Sequence, residues 1–118
     1  MAELTIYHNP RCTKSRATLD LLRKHGFEPR IVQYLETPPS AKEMGKLLRL
    51  LALEPRDVIR KEEDEYAALG LANPKLTRAE LIDAIAAHPK LLQRPIVVAG
   101  DKAAIGRPPE AVLAILPR

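Results

Sequence analysis

Leu4-Thr5-Ile6-Tyr7-His8-Asn9-Pro10-Arg11-Cys12-Thr13-Lys14-Ser15-Arg16 runs from a strand, through a turn, into a helix, and that passage decides the fold. Leu4 to Tyr7 is short, β-branched and aromatic, and Asn9-Pro10 ends it. From Thr13 to about His25, Ala17, Leu19, Leu21 and Leu22 alternate with Lys14, Arg16, Asp20, Arg23 and Lys24, the pattern of an amphipathic helix. Gly26 stops that helix. Arg30-Ile31-Val32-Gln33-Tyr34-Leu35 then reads as a second strand, and a right-handed crossover makes it parallel to the first.

Working outward, Thr37-Pro38-Pro39 breaks the chain and Ser40 caps a new helix. Met44, Leu47, Leu48 and Leu51, and after Thr77 the set Leu81, Ile82 and Ile85, recur at helical spacing. Pro55, Gly70 and Pro74 cut this middle into short helices. Pro95-Ile96-Val97-Val98-Ala99 and Ala103-Ala104-Ile105 flank Gly100-Asp101-Lys102 as a hairpin, and Pro108-Pro109 opens a last helix over Glu110–Ile115. The expected fold class is α/β, a thioredoxin-like order of βαβ, helical insertion and ββα around a mixed four-stranded sheet. One domain over 1–118, with the insertion at about 40–90, is expected from the length.

The composition narrows the function classes. With 46% hydrophobic and 29% charged residues the chain is globular, and no apolar run nears the roughly 20 residues of a membrane helix. The start lacks the pattern of a secretory signal, so the cytoplasm is the expected location. A net charge of +4 is spread along the chain, with three Tyr and one Phe for stacking, which argues against nucleic acid. Arginine in surplus suits a small anion, because a guanidinium offers forked donors to an oxyanion.

Cys12 is the single cysteine, so any redox cycle must borrow its second thiol from a partner. Its place between a strand and a helix turns unpaired backbone N–H groups and the positive helix end toward the sulfur, which favours the thiolate, as do Lys14 and Arg16. Ser15, one turn on, is near enough to donate to that thiolate, and His8 approaches from the strand end. A buried packing role for Cys12, a satisfied strand-end ring for His8, and solvated faces for Ser15 and Arg16 are the plainer alternatives. Arg60, Arg94 and Arg107 stand at junctions, after apolar residues or before proline, where a restrained backbone holds a side chain toward a cleft; ordinary surface arginines are again the alternative. Arg94-Pro95 is a candidate cis bond.

His8, Cys12, Ser15 and Arg16, followed by Arg60, Arg94-Pro95-Ile96-Val97-Val98 and Gly106-Arg107-Pro108-Pro109-Glu110, resemble the glutaredoxin-dependent arsenate reductase family. The likeness runs from Ile6-Tyr7-His8-Asn9-Pro10 through Tyr34-Leu35-Glu36-Thr37-Pro38, Leu69-Gly70-Leu71-Ala72 and His88-Pro89 to Leu113. The resemblance implies that Cys12 attacks arsenate to form a thiol–arsenate adduct, that glutathione attacks the adduct, and that glutaredoxin completes the cycle as arsenite leaves. It assigns catalysis to Cys12, His8 and Ser15 and oxyanion binding to Arg60, Arg94 and Arg107. Pro95, taken as cis, with Asn9 and Arg16, would shape the site. No metal and no tightly bound cofactor is expected; glutathione and glutaredoxin serve as reductants, and the protein is expected to be a monomer. Thr13-Lys14 stands where well characterised members have glycine, and the chain stops at Arg118 where they have a C-terminal tail. In these features it is more similar to an arsenate reductase-like branch acting on another thiol substrate or oxyanion. A further alternative, an Spx-type redox regulator that binds RNA polymerase, typically has a Cys-x-x-Cys pair, whereas Ser15 stands at the second position here.

Overall fold

The computed structural model describes residues 3–117. The chain divides into two units, residues 1–37 with 94–118, and residues 38–93.

The first unit is built on four strands, β1 (Leu4–Tyr7), β2 (Arg30–Val32), β3 (Ile96–Ala99) and β4 (Lys102–Ile105), in the order β2-β1-β3-β4. β1 pairs parallel with β2 and antiparallel with β3, and β3 pairs antiparallel with β4, giving the expected mixed sheet and a thioredoxin-like fold. Alternation along the strands sends Leu4 and Ile6 to one face, opposite Ala99 and Val97. These four form a core with Leu19 and Leu22 of α1 (Thr13–Lys24) and Val112 of the C-terminal 3-10 helix Pro109–Ile115. Burying seven such side chains is the main force ordering this unit, at about 1.5–3 kcal/mol for each large aliphatic. Gly100 opens the two-residue β3–β4 turn with φ +62°, where a Cβ is disfavoured.

Three sequence expectations need correcting here. β2 ends at Val32, not Leu35, because the chain turns: Glu36 and Thr37 both donate backbone N–H to Gln33 O at 2.9 Å, and Tyr34 is buried while Leu35 is exposed. The buried face of α1 is Ser15, Thr18, Leu19 and Leu22, not the all-apolar set; Ala17 is exposed and Leu21 half-buried. The last helix is 3-10, starting at Pro109, since adjacent prolines remove two donors and the Ala111 N–H closes on Pro108 O at 2.9 Å.

The second unit is helical: α2 (Ala41–Leu51), α3 (Pro55–Val58), α4 (Asp64–Ala68), α5 (Arg78–Ala87) and a 3-10 turn, Pro89–Leu91. Ser40 with Glu43, and Thr77 with Glu80, form reciprocal capping boxes at the starts of α2 and α5. Met44, Leu47 and Leu48 of α2 and Leu81, Ile82 and Ile85 of α5 are the buried stripes of the two longest helices. Arg56 ties α3 to the loop beyond α4 by donating to Leu71 O at 2.9 Å and Asn73 O at 2.6 Å.

Candidate functional site

The register of the sheet brings the ends of three strands together. Tyr7 lies opposite Ile96, and Ile96 opposite Ile105, so His8, Pro95 and Gly106 follow one step beyond the same row of residues. Asn9, Arg94 and Arg107 come one step further out. Two of the three expected arginines and the cysteine-bearing turn therefore leave the sheet at one end.

The turn is closed by its own groups. His8 N–H extends the β1–β2 pairing by donating to Val32 O at 2.8 Å. Asn9 accepts twice, from the Arg11 N–H at Oδ1 and from the Cys12 N–H at its backbone oxygen, both at 3.0 Å. Arg16 Nη1 crosses back to Pro10 O at 2.9 Å and latches the turn to the first helical turn. Cys12 becomes the extended N-cap of α1, with φ −93° and ψ 124°, and its carbonyl accepts the Arg16 N–H at 3.0 Å. The N–H groups of Thr13, Lys14 and Ser15 have no acceptor within the helix, and no acidic side chain occupies this first turn. Cys12 is a free thiol, 9% exposed. A nucleophile in this seat meets donors and the positive helix end with no opposing carboxylate in the turn.

Ser15 is wholly buried, and His8 nearly so at 6% exposed. Ser15 Oγ lies 2.7 Å from His8 Nδ1 and accepts the Asn9 N–H at 3.0 Å. The hydroxyl proton is thereby the one variable. If Nδ1 is bare, Ser15 donates to it; if Nδ1 carries hydrogen, the ring donates and the Ser15 proton is released toward other acceptors. Burial depresses the His8 pKa below the ordinary 6.5, and the charges of Arg23 and Arg16 lower it further against a smaller opposing effect of Asp20. These effects favour the neutral ring, in which either nitrogen can carry the hydrogen.

Arg94 and Arg107 flank the two cis bonds, Arg94-Pro95 and Arg107-Pro108. The first was anticipated in the sequence and the second was not. Arg107 Nη1 donates to Arg94 O at 3.1 Å, and the Gly106 N–H donates to Pro95 O at 2.9 Å, so the two segments are stitched side by side. Arg94 is half-buried and Arg107 exposed. Thr18 and Gly106 belong to the same neighbourhood: a Cβ on Gly106 would collide with Thr18 Oγ1 and stand 2.8 Å from Pro95 Cγ. Neither was singled out as a functional residue from the sequence. The available signal was a threonine in the core phase of α1, beside Leu19 and Leu22.

Arg60 belongs to the helical unit. Val58 and Ile59 lead into it along a short antiparallel bridge, with the Gln93 N–H donating to Val58 O and the Arg60 N–H to Leu91 O, both at 2.7 Å. Its side chain is 15% exposed, and the guanidinium engages Glu62 Oε1 from Nη2 at 3.0 Å and from Nε at 3.1 Å, and Glu63 Oε2 from Nη1 at 3.0 Å. Among the described residues no group of three His, Cys, Asp or Glu is placed to hold a metal ion, and no helix is long and apolar enough to cross a membrane.

The ArsC family matches residues 7–115. Over 117 residues the sequence is 49% identical to an arsenate reductase of Neisseria meningitidis serogroup A, covering 98% of this chain and 100% of the relative. It is 51% identical over 115 residues to the uncharacterized protein YfgD of Escherichia coli K12, with 97% of each chain covered. Among solved structures, an arsenate reductase from Vibrio cholerae is similar with a TM-score of 0.95 at 47% identity, covering 98% of each chain.

Proposed function

The chain belongs to the ArsC family, and from that premise we propose that it is an arsenate reductase whose nucleophile is the Cys12 thiolate. The observation that carries this reading is the seat of the only thiol, at the N-cap of α1 beside the first N–H groups of the helix, with Ser15 in the next turn hydrogen-bonded to His8 at the strand end. The sulfur attacks arsenic, an S–As bond forms, and one arsenate oxygen leaves as water. Glutathione then attacks the adduct and glutaredoxin closes the cycle. Two external thiols become one disulfide as As(V) becomes As(III), and arsenite departs. Cys12 ends unchanged, consistent with a chain that holds no second cysteine.

His8 and Ser15 serve the sulfur: with hydrogen on His8 Nδ1, Ser15 donates toward the thiolate, and with Nδ1 bare it does not. Arg60, Arg94 and Arg107 hold the oxyanion and the charge that develops on it during attack. Asn9 and Arg16 keep the turn closed, and Pro95 fixes the backbone that follows Arg94. The protein works as a monomer in the cytoplasm, where glutathione keeps a lone thiol reduced.

The test is steady-state turnover by purified protein with glutathione, glutaredoxin, glutathione reductase and NADPH. Arsenate-dependent NADPH consumption is expected; its absence with folded, reduced protein overturns the reading. Thr13 and Lys14, both exposed directly after Cys12, favour a second reading, a thiol oxidoreductase of the arsenate reductase-like branch. That reading predicts faster turnover of a glutathione mixed disulfide than of arsenate in the same assay.

A further inference from the structure

α1 meets the end of the β3–β4 hairpin at one crowded joint. Thr18 is fully buried, and its Oγ1 donates to Lys14 O at 2.8 Å, one turn back toward Cys12. Facing it is Gly106, where an added Cβ would overlap Thr18 Oγ1, stand 3.1 Å from Thr18 Cγ2 and 2.8 Å from Pro95 Cγ. Ordinary carbon contacts lie near 3.5–4.0 Å, so about 1 Å of movement is needed to admit one methyl. Gly106 is not among the glycines with positive φ, which are Gly26, Gly70 and Gly100. Space, and not backbone freedom, therefore demands glycine at this position.

The joint is continuous in the chain with three parts of the proposed site. Thr18 lies on the helix that Cys12 caps, Pro95 follows Arg94, and Gly106 precedes Arg107. Because the helix is stiff and the hairpin is hydrogen-bonded through Gly106 N–H to Pro95 O, a change in the thickness of this contact would move the start of the helix relative to the segments that carry Arg94 and Arg107. We propose that Thr18 and Gly106 are positioning residues whose contact sets Cys12 against Arg94 and Arg107.

This proposal rests on Arg94 and Arg107 binding an anion, so its test reads anion selectivity at the thiol and not arsenate turnover. Cys12 displaces iodide from iodoacetate, an anion, or from neutral iodoacetamide, forming a thioether with either. The ratio of the two rates reports how well the arginines address an anion at the sulfur. Wild type is expected to give a higher ratio than Arg94→Ala/Arg107→Ala; equal ratios would overturn the anion-site reading and this proposal with it. Gly106→Ala should lower the ratio about fivefold to tenfold, inside the roughly 10²-fold that displacing reacting groups by about 1 Å can cost. Thr18→Ala, which loosens the same joint, should lower it about threefold, at the low end of the couplings seen between touching residues. The double variant should return part of the way to wild type, because losing Oγ1 and Cγ2 frees the two Thr18 contacts while the 2.8 Å approach to Pro95 Cγ remains. A Gly106→Ala ratio equal to wild type, or a double variant no better than Gly106→Ala, overturns the proposal. Should Gly106→Ala not fold, Thr18→Ala and the double variant carry the test, and a Thr18→Ala ratio equal to wild type, or a double variant no better than Thr18→Ala, overturns it.

Discussion

The turn from His8 to Arg16 and the segment from Val58 to Glu63 each carry a side chain assigned to the reaction, and they hold it in opposite ways. In the first, every contact to the reactive neighbourhood is neutral or comes from backbone: Ser15 with His8 and Asn9, Asn9 with Arg11 and Cys12, Arg16 with Pro10. Cys12 is left with donors around it and no charge of its own kind in the helical turn. In the second, the Arg60 guanidinium is already answered by Glu62 and Glu63. In the proposed site the thiol is prepared before substrate arrives. In its proposed role Arg60 would exchange carboxylate partners for an incoming oxyanion, so its contribution would be the difference between two ion pairs and not the whole of one.

The largest effect should come from the prepared side. Cys12→Ser is expected to abolish turnover while leaving circular dichroism and the denaturation midpoint close to wild type, since Cys12 is not part of the core cluster of this unit; full activity in this variant would break the comparison. Arg60→Ala should reduce kcat/KM by about 10²-fold if it loses one transition-state donor. A loss confined to KM would instead mark Arg60 as a ground-state contact.

Glu63→Gln sharpens the contrast in the other direction. Removing one carboxylate from Arg60 should lower KM for the anion, by up to about fivefold given that a partly exposed pair is worth about 0–1 kcal/mol. An unchanged or raised KM would show that the carboxylates orient Arg60 and do not compete with substrate. The smallest effect concerns His8. Its folded pKa is depressed by burial, so below 6.5 the unfolded chain takes up a proton that the folded chain resists. Stability attributable to His8 is present above that pH and is lost as pH falls through the interval between 6.5 and the folded value. Urea titrations across this interval should show wild type losing more stability than His8→Gln, and parallel curves would contradict the assignment.

The sequence was most legible where signals are local. Strand, turn and helix from Leu4 to Lys24, the Ser40 and Thr77 caps and the Gly100 hairpin each depend on residues within a few positions, and all occur. The edge strand β2 was overdrawn because Gln33-Tyr34-Leu35 has strand composition, while the hydrogen bonds of Glu36 and Thr37 and the burial of Tyr34 turn it away. At the site, residue types pointed to Cys12 and its neighbours, yet not to their pairings. That Ser15 engages His8 follows from the parallel placement of a strand end against a helix turn. That Thr18 meets Gly106 follows from contact across 88 residues of chain, which no local pattern encodes.

The most direct test of the central claim is the chemical state of Cys12 when the cycle is stopped. Protein incubated with arsenate and glutathione, without glutaredoxin, and examined by mass spectrometry of the intact chain and of the peptide spanning Cys12, should carry arsenic on that peptide. The same treatment of Cys12→Ser should leave the chain unmodified. Arsenic absent from the wild-type Cys12 peptide, or present equally on the Cys12→Ser chain, would contradict a covalent thiol–arsenate route.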